Sequence, residues 1–442
     1  MMQELYCIPH RVGPLPVFGL GWAFIVWLLI AMVLIVGSLR GKGWNQDTTS
    51  TLSVAVVIAF LIAYVLPFLE VPDPAAMVGG ADPRGLPIRG YGVMLLCGIV
   101  AGVIAASFRA RQMGLDPEHI HSLAFWMFVT GIAGARMFFV VQYWSDFKQP
   151  TIPATVFEIL KFTEGGLVVY GALTGAMLAC LFFCRHRKLP VLAIGDIIAP
   201  AMLIGLAFGR IGCLANGCCY GGVCENQLPS LVFPQLSPPY FDQLESGQLL
   251  GLKLREVDPG KEQGRWNVDR VVEGTIPHTA GVCVGDKVIA SDDSKRDGRG
   301  PIRVYGGLAR AIATGDERSI LVRVATEDGK AAFWTLPDLP QKSLPTHPAQ
   351  IYSSISALLL FSVAWFAFPF LNKDGASLAF VLTLYPIIRF LMELVRVDEP
   401  GQLASLTIAQ LVSIGILTAA LGLWAYLFTR SSGRALLTQP AV

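Results

Sequence analysis

Charge is scarce in this sequence. Asp, Glu, Lys and Arg make up 15% of its 442 residues against 53% apolar residues, and the mean hydropathy is +0.56, which excludes an ordinary soluble enzyme and indicates a polytopic membrane protein. Excess charge of one sign is also missing: 34 basic and 32 acidic residues leave a formal +2. The basic residues form neither an arm nor a stripe, so nucleic acid is not expected as a partner. No small-residue cleavage site follows the first apolar run, which at about 20 residues reads as a membrane span and not as a cleaved leader. No pair of matched broken helices stands out, which disfavours a solute transporter. The nine cysteines include no C-x2-C knuckle with a His close behind, the usual mark of a zinc site.

What the chain does have is length in apolar runs. Nine of them, near 17-37, 51-69, 90-108, 122-143, 166-184, 193-213, 348-371, 376-395 and 406-428, suffice to cross about 30 Å of hydrocarbon. If they alternate, Arg40 and Lys42, Arg109 and Arg111, Arg185, Arg187 and Lys188, Lys373, and Arg430 and Arg434 all fall on one side. The positive-inside rule makes that side the cytoplasm. The N-terminus and the segment 214-347 then lie outside. Residues 252-338 change character, with charge, Gly and short alternating strands such as NVDRVVEG and RSILVRVAT, and read as a soluble domain inserted between two spans. Their order, through VVEGTIPHTAGVCVGDKVIAS and a helical GLARAIATG, resembles a PDZ-like domain. That family is a small β-sandwich which adds an extended peptide to a sheet edge; a β-rich spacer without a ligand is the alternative.

An ionisable group within a span costs about 2.5 to 3.5 kcal/mol on insertion scales. Three places accept this: Arg136 in GIAGARMFFVVQYW, Arg210 in GRIGCLANGCCYGG, and Arg389, Glu393 and Arg396 in YPIIRFLMELVRVDEP, where spacings of four and three share a helix face. Guanidinium suits a phosphate, and a phospholipid headgroup is the phosphate available at that depth; a local ion pair with Arg396 snorkelling is the plainer reading. GGLVVYGALTGAM sets Gly165, Gly166, Gly171 and Gly175 around Tyr170, for close helix approach or for room beside a phenol. Tyr91 sits just inside its span. Cys213, Cys218, Cys219 and Cys224 form C-x4-C-C-x4-C. A disulfide in an oxidising outer compartment or small-residue packing is preferred there to a catalytic thiol or a metal. His347 opens HPAQIYSS, with Pro348 at a first helical turn, and takes a structural role or that of a base.

In order along 85-428, IRGYGVMLLCG, GARMFFV, GGLVVYGALTG, GRIGCLANGCCYGG, HPAQIYSS, RFLMELVR and LTIAQLVS resemble the prolipoprotein diacylglyceryl transferase family. The resemblance implies a seven-helix core within a polytopic α-helical membrane protein. Its parts are an extension of two spans (1-75), a first core part (85-225), an extracytoplasmic insert (226-345) holding the PDZ-like domain, the last three spans (346-430) and a cytoplasmic tail (431-442). It further implies an enzyme of the bacterial inner membrane that moves diacylglyceryl from phosphatidylglycerol to the lipobox cysteine of a preprolipoprotein, with no cofactor or metal. By position, Arg210 with Arg389 or Arg396 would hold phosphate and Tyr91 would border the lipid. Asn216, Gly209, Gly212, Gly217 and Gly221 would shape the signature segment, and Arg136, Glu393 and His347 complete the binding set. Tyr170, in the catalytic set, stands where the family commonly has His, and Cys213 and Cys218 where it commonly has Asn and Glu. These departures keep a second reading open, a non-catalytic homologue that binds anionic lipid and recruits envelope proteins through its insert.

Overall fold

The computed structural model describes residues 4–42, 52, 55–70, 85–148, 151–160, 166, 168–224, 229–256, 266–288, 302–304, 308, 311–312, 315, 317–393, 406–430 and 433–438. They form two compact units, Met1–Gly90 with Cys213–Pro348, and Tyr91–Gly212 with Ala349–Val442.

The second unit is helical. Two apolar helices, α1 (Trp22–Lys42) and α2 (Ala55–Val65), precede it in the chain. Seven helices among the described residues are long and apolar enough to cross a membrane: α3 (Gly90–Gln112), α4 (Pro117–Gln142), α6 (Val169–His186), α7 (Val191–Asn216), α9 (Ala349–Ala367), α10 (Ala376–Glu393) and α11 (Ile408–Phe428). A shorter helix, α5 (Ile152–Leu160), lies between α4 and α6. α2 gives way to a 3-10 turn with Pro67 near its start.

Local chemistry sets several helix ends. Asp116 accepts the Glu118 N–H ahead of Pro117 at the start of α4. Asp196 on α7 accepts from the N–H groups of Gly375 and Leu378 at 2.8 Å each, satisfying the orphan donors that open α10. Glycine decides how α4 meets α6. A Cβ added at Gly134 would lie 2.5 Å from the Gly171 carbonyl oxygen, and one at Gly171 would lie 2.3 Å from that of Gly134, so the two backbones touch. Of the two readings of the Gly-rich segment, close approach is the one that forms; Gly165 lies outside the described residues. At one end of the unit, the Arg109 and Arg434 guanidiniums lie over the Phe368 ring at 3.9 Å each. Arg434 also donates to the carbonyls of Phe368 and Leu371, tying the tail to the 3-10 turn that follows α9.

The first unit is mixed. β1 (Glu4–Pro9) pairs antiparallel with β2 (Gly85–Arg89), and His10 Nδ1 meets Glu70 Oε2 at 2.5 Å. The insert has a helix, α8 (Pro238–Glu245), and two antiparallel three-stranded sheets. One has β4 (Trp266–Val271) between β3 (Leu252–Glu256) and β5 (Lys287–Val288); the other has β7 (Val322–Ala325) between β6 (Arg303–Val304) and β8 (Ala331–Trp334). One core joins α8 and the strands, with Tyr240, Leu244, Leu252, Val268, Val322 and Trp334 buried. Most of the helix expected at GLARAIATG lies outside the described residues.

Candidate active site

Arg210 on α7 and Arg389 on α10 line one cleft, together with Leu206 from α7, Ser353 and Ser356 from α9, and Tyr385 from α10. Helical spacing explains the grouping: Leu206 and Arg210 are one turn apart, as are Tyr385 and Arg389, so each pair shares a face. Among the described residues no protein acceptor is recorded for Arg210. Its donors are thus available to a ligand.

Arg389 is held differently. It is salt-bridged to Glu393 one turn on, whose side chain is only 2% exposed. The other carboxylate oxygen of Glu393 accepts from Thr407 Oγ1 at 3.0 Å. Thr407 is the N-cap of α11, exchanging hydrogen bonds with Gln410 in a capping box. The acid that neutralises and aims Arg389 is therefore fixed to the start of another helix. A carboxylate this buried persists as a charge only when paired and hydrogen-bonded.

Tyr91 opens α3 and packs on α7, where a Cβ at Gly212 would come 3.1 Å from the Tyr91 ring. Among the described residues a Cβ at Gly209 would meet nothing within 4 Å, which leaves space beside Arg210. A separate apolar groove is lined by Leu95, Gly98, Ile99, Gly102, Met202 and Gly205, the last of which precedes the cleft residue Leu206 on α7. The groove has an empty volume of about 910 Å³ counting its mouth.

Other expected residues do not join this cleft. Arg136 donates to three backbone carbonyls, of Glu158 at 3.0 Å, Ile159 at 2.9 Å and Gly166 at 3.3 Å, and lies over the Phe147 ring. It closes the C-terminal end of α5, where orphan carbonyls need donors. Tyr170, half exposed on α6, is not among the residues lining the cleft. His347 acts through its backbone: its carbonyl accepts from Gly221 N–H and its N–H donates to Gly222, both at 3.0 Å, so the two ends of the insert pair side by side. Arg396 lies outside the described residues.

The signature segment turns back at its glycine. Gly217 has φ +77°; its N–H reaches the Leu214 carbonyl and the Cys218 N–H reaches that of Cys213, a Schellman motif with Asn216 as the last helical residue. Cys219 then also takes a left-handed φ of +58°. As a result the sulfurs of Cys213, Cys218 and Cys219 all lie within 4.8 Å of one another. All nine cysteines are free, so of the two preferred readings for this segment, a disulfide or small-residue packing, the structure has no disulfide.

Sequence reasoning missed Ser353, Ser356, Tyr385, Thr407 and Gln410. The signals were present: Tyr385 stands four before Arg389, and T-x-x-Q ahead of an apolar run is a capping box.

The sequence model of the family described as prolipoprotein diacylglyceryl transferase matches residues 82–426. A phosphatidylglycerol--prolipoprotein diacylglyceryl transferase of Rhodopirellula baltica is 35% identical over 449 aligned positions, covering 95% of this chain and 88% of that protein. Proteins of the same description from Clostridium tetani and Deinococcus radiodurans match shorter parts. The first is 35% identical over 31% of this chain and 53% of its own length, the second 32% identical over 29% and 38%.

Proposed function

The chain belongs to the prolipoprotein diacylglyceryl transferase family, and from that premise we propose that the cleft between α7, α9 and α10 is where it works as a multi-pass membrane enzyme, moving diacylglyceryl from phosphatidylglycerol to a prolipoprotein thiol. In this reaction the peptide sulfur, as thiolate, forms a bond to the glyceryl carbon while the carbon–oxygen bond to phosphate breaks. Glycerol phosphate leaves with the electron pair. The chemistry needs positive charge at the departing phosphate, already in place before reaction. Arg210 and Arg389 on one cleft wall are the observation that carries the proposal. Glu393 keeps Arg389 in position, Tyr91 borders the lipid, and open space at Gly209 lets the headgroup approach the helix. The groove that Gly205 lines is apolar and accommodates a fatty acyl chain.

The test is complementation of cells depleted of their own transferase, with lipid attachment to a lipobox peptide measured directly. Wild type restores transfer and Arg210→Ala does not. A properly inserted wild-type chain that attaches no lipid would sink the reading and favour a lipid-binding scaffold. Met202→Trp, which fills the groove, raises the KM for phosphatidylglycerol by about tenfold.

The placement in a bacterial inner membrane follows from the family, and the sidedness, with 214-347 outside and the C-terminus in the cytoplasm, rests on the distribution of Lys and Arg. Reporter fusions near residues 280 and 438 should give opposite sidedness. The insert presents an extended peptide to a sheet edge in the manner of a PDZ-like domain. Deleting 252-338 then slows transfer to some prolipoprotein substrates, and equal rates toward all of them would count against that role.

A further inference from the structure

From the three clustered thiols we infer that Cys213, Cys218 and Cys219 form a three-thiolate Zn2+ site whose fourth position takes the thiol of a peptide cysteine; the identity of that thiol rests on the transferase reading above.

The backbone makes the cluster. C-x4-C-C lacks the knuckle spacing that usually signals zinc, yet Gly217 reverses the chain so that Cys218 returns to the carbonyl of Cys213. Cys219 then adopts a left-handed conformation, which costs a non-glycine residue about 1 kcal/mol or more and is rare enough to call for a reason. Its consequence is three sulfurs within 4.8 Å of one another. Zinc binds thiolate at about 2.3 Å, which for tetrahedral or trigonal geometry requires sulfurs about 3.8 to 4.0 Å apart, so small side-chain rotations close the site. All three thiols are half-buried and none is in a disulfide.

The donor set selects the ligand class. Soft thiolates favour Zn2+ over hard cations, and three protein ligands with a fourth position open to water or substrate is the pattern of reactive zinc sites. An incoming thiol bound there is deprotonated outright: the zinc–sulfur bond forms, a bound water leaves, and the proton goes to solvent. This supplies a thiolate without a side-chain base, in a chain where Tyr170 does not line the cleft.

The whole chain, purified in detergent, is incubated with ZnCl2, desalted and analysed for metal, and in parallel loaded with Co2+ and read by absorption. Wild type is expected to retain one zinc per chain and to show thiolate-to-cobalt charge transfer. Single Cys213→Ser, Cys218→Ser or Cys219→Ser variants should lose affinity by about tenfold or more, while Cys224→Ser should not. Adding a lipobox peptide should change the cobalt spectrum, and its Cys→Ser version should not. Arg210→Ala should keep the metal while losing transfer, which separates this site from the reading above. Wild type that retains no more zinc than the variants overturns the inference. So does a disulfide among the three in freshly isolated protein, or a cobalt spectrum that responds equally to both peptides.

Discussion

A Glu393→Gln substitution keeps the shape of the buried side chain and removes its charge. Arg389 then loses the partner that aims it, and the buried pair is broken at an expense of about 3 to 5 kcal/mol, part of which falls on the transition state. The transfer rate should fall by about a hundredfold in protein that inserts normally; an unchanged rate would remove Arg389 from the phosphate site. Gly209→Ala probes the other wall. Among the described residues nothing beyond its own helix meets the added methyl, and alanine favours the helix by about 1 kcal/mol. The variant should therefore melt higher in detergent while binding phosphatidylglycerol more weakly. A variant that gains stability and keeps its KM would show that the headgroup does not use that space.

At the scale of elements, two glycine contacts govern assembly. The α4–α6 pair touches backbone to backbone at Gly134 and Gly171, so Gly171→Val forces the helices apart and should lower stability by about 1 to 3 kcal/mol, read as a drop in the thermal midpoint of the detergent-solubilised protein. The same change at Gly422 on α11, where an added Cβ meets nothing among the described residues, is the control and should leave the midpoint in place. At the C-terminal end of α7, Gly217→Ala puts a side chain at φ +77°, a strain of about 1 to 2 kcal/mol. Unwinding of the last turn should follow, seen as faster hydrogen exchange at the Gly217 and Cys218 amides that close the Schellman motif.

At the scale of the molecule, the insert has its own acid sensitivity. Asp286 is held below the usual carboxylate range first by the backbone N–H of Cys283 and then by Lys330. Its stabilising contribution is complete above the unfolded value of about 3.9 and is lost as pH falls through the lower folded value. Acidification should loosen the turn at Cys283 to Asp286 only below about pH 3.9 and leave neutral-pH stability unchanged. Asp286→Asn should remove that part of the pH dependence, measured by thermal unfolding of the insert's tryptophan fluorescence between neutral pH and the folded value.

The apolar runs alone determined a polytopic helical protein, because roughly 20 apolar residues in lipid can only be a helix that satisfies its own backbone. They marked nine candidate spans, and the family resemblance singled out the seven from residue 90 onward, which are the seven long apolar helices among the described residues. Motif order determined the family. Arg210, Arg389 and Glu393 stood out because charge in a span is costly enough to need a reason. What a one-dimensional pattern cannot carry is which distant faces meet. Arg136 has the same composition signal as Arg210, yet it closes a neighbouring helix end, a difference set by where α5 stops. Tyr170 sits in a glycine pattern that fits a ligand site or helix contact equally, and the backbone approach of α4 to α6 decided for contact. The cysteine spacing argued against zinc and left a disulfide or small-residue packing, and the left-handed turn at Gly217 and Cys219 gathered three sulfurs, since two backbone dihedrals outweigh linear distance in bringing side chains together.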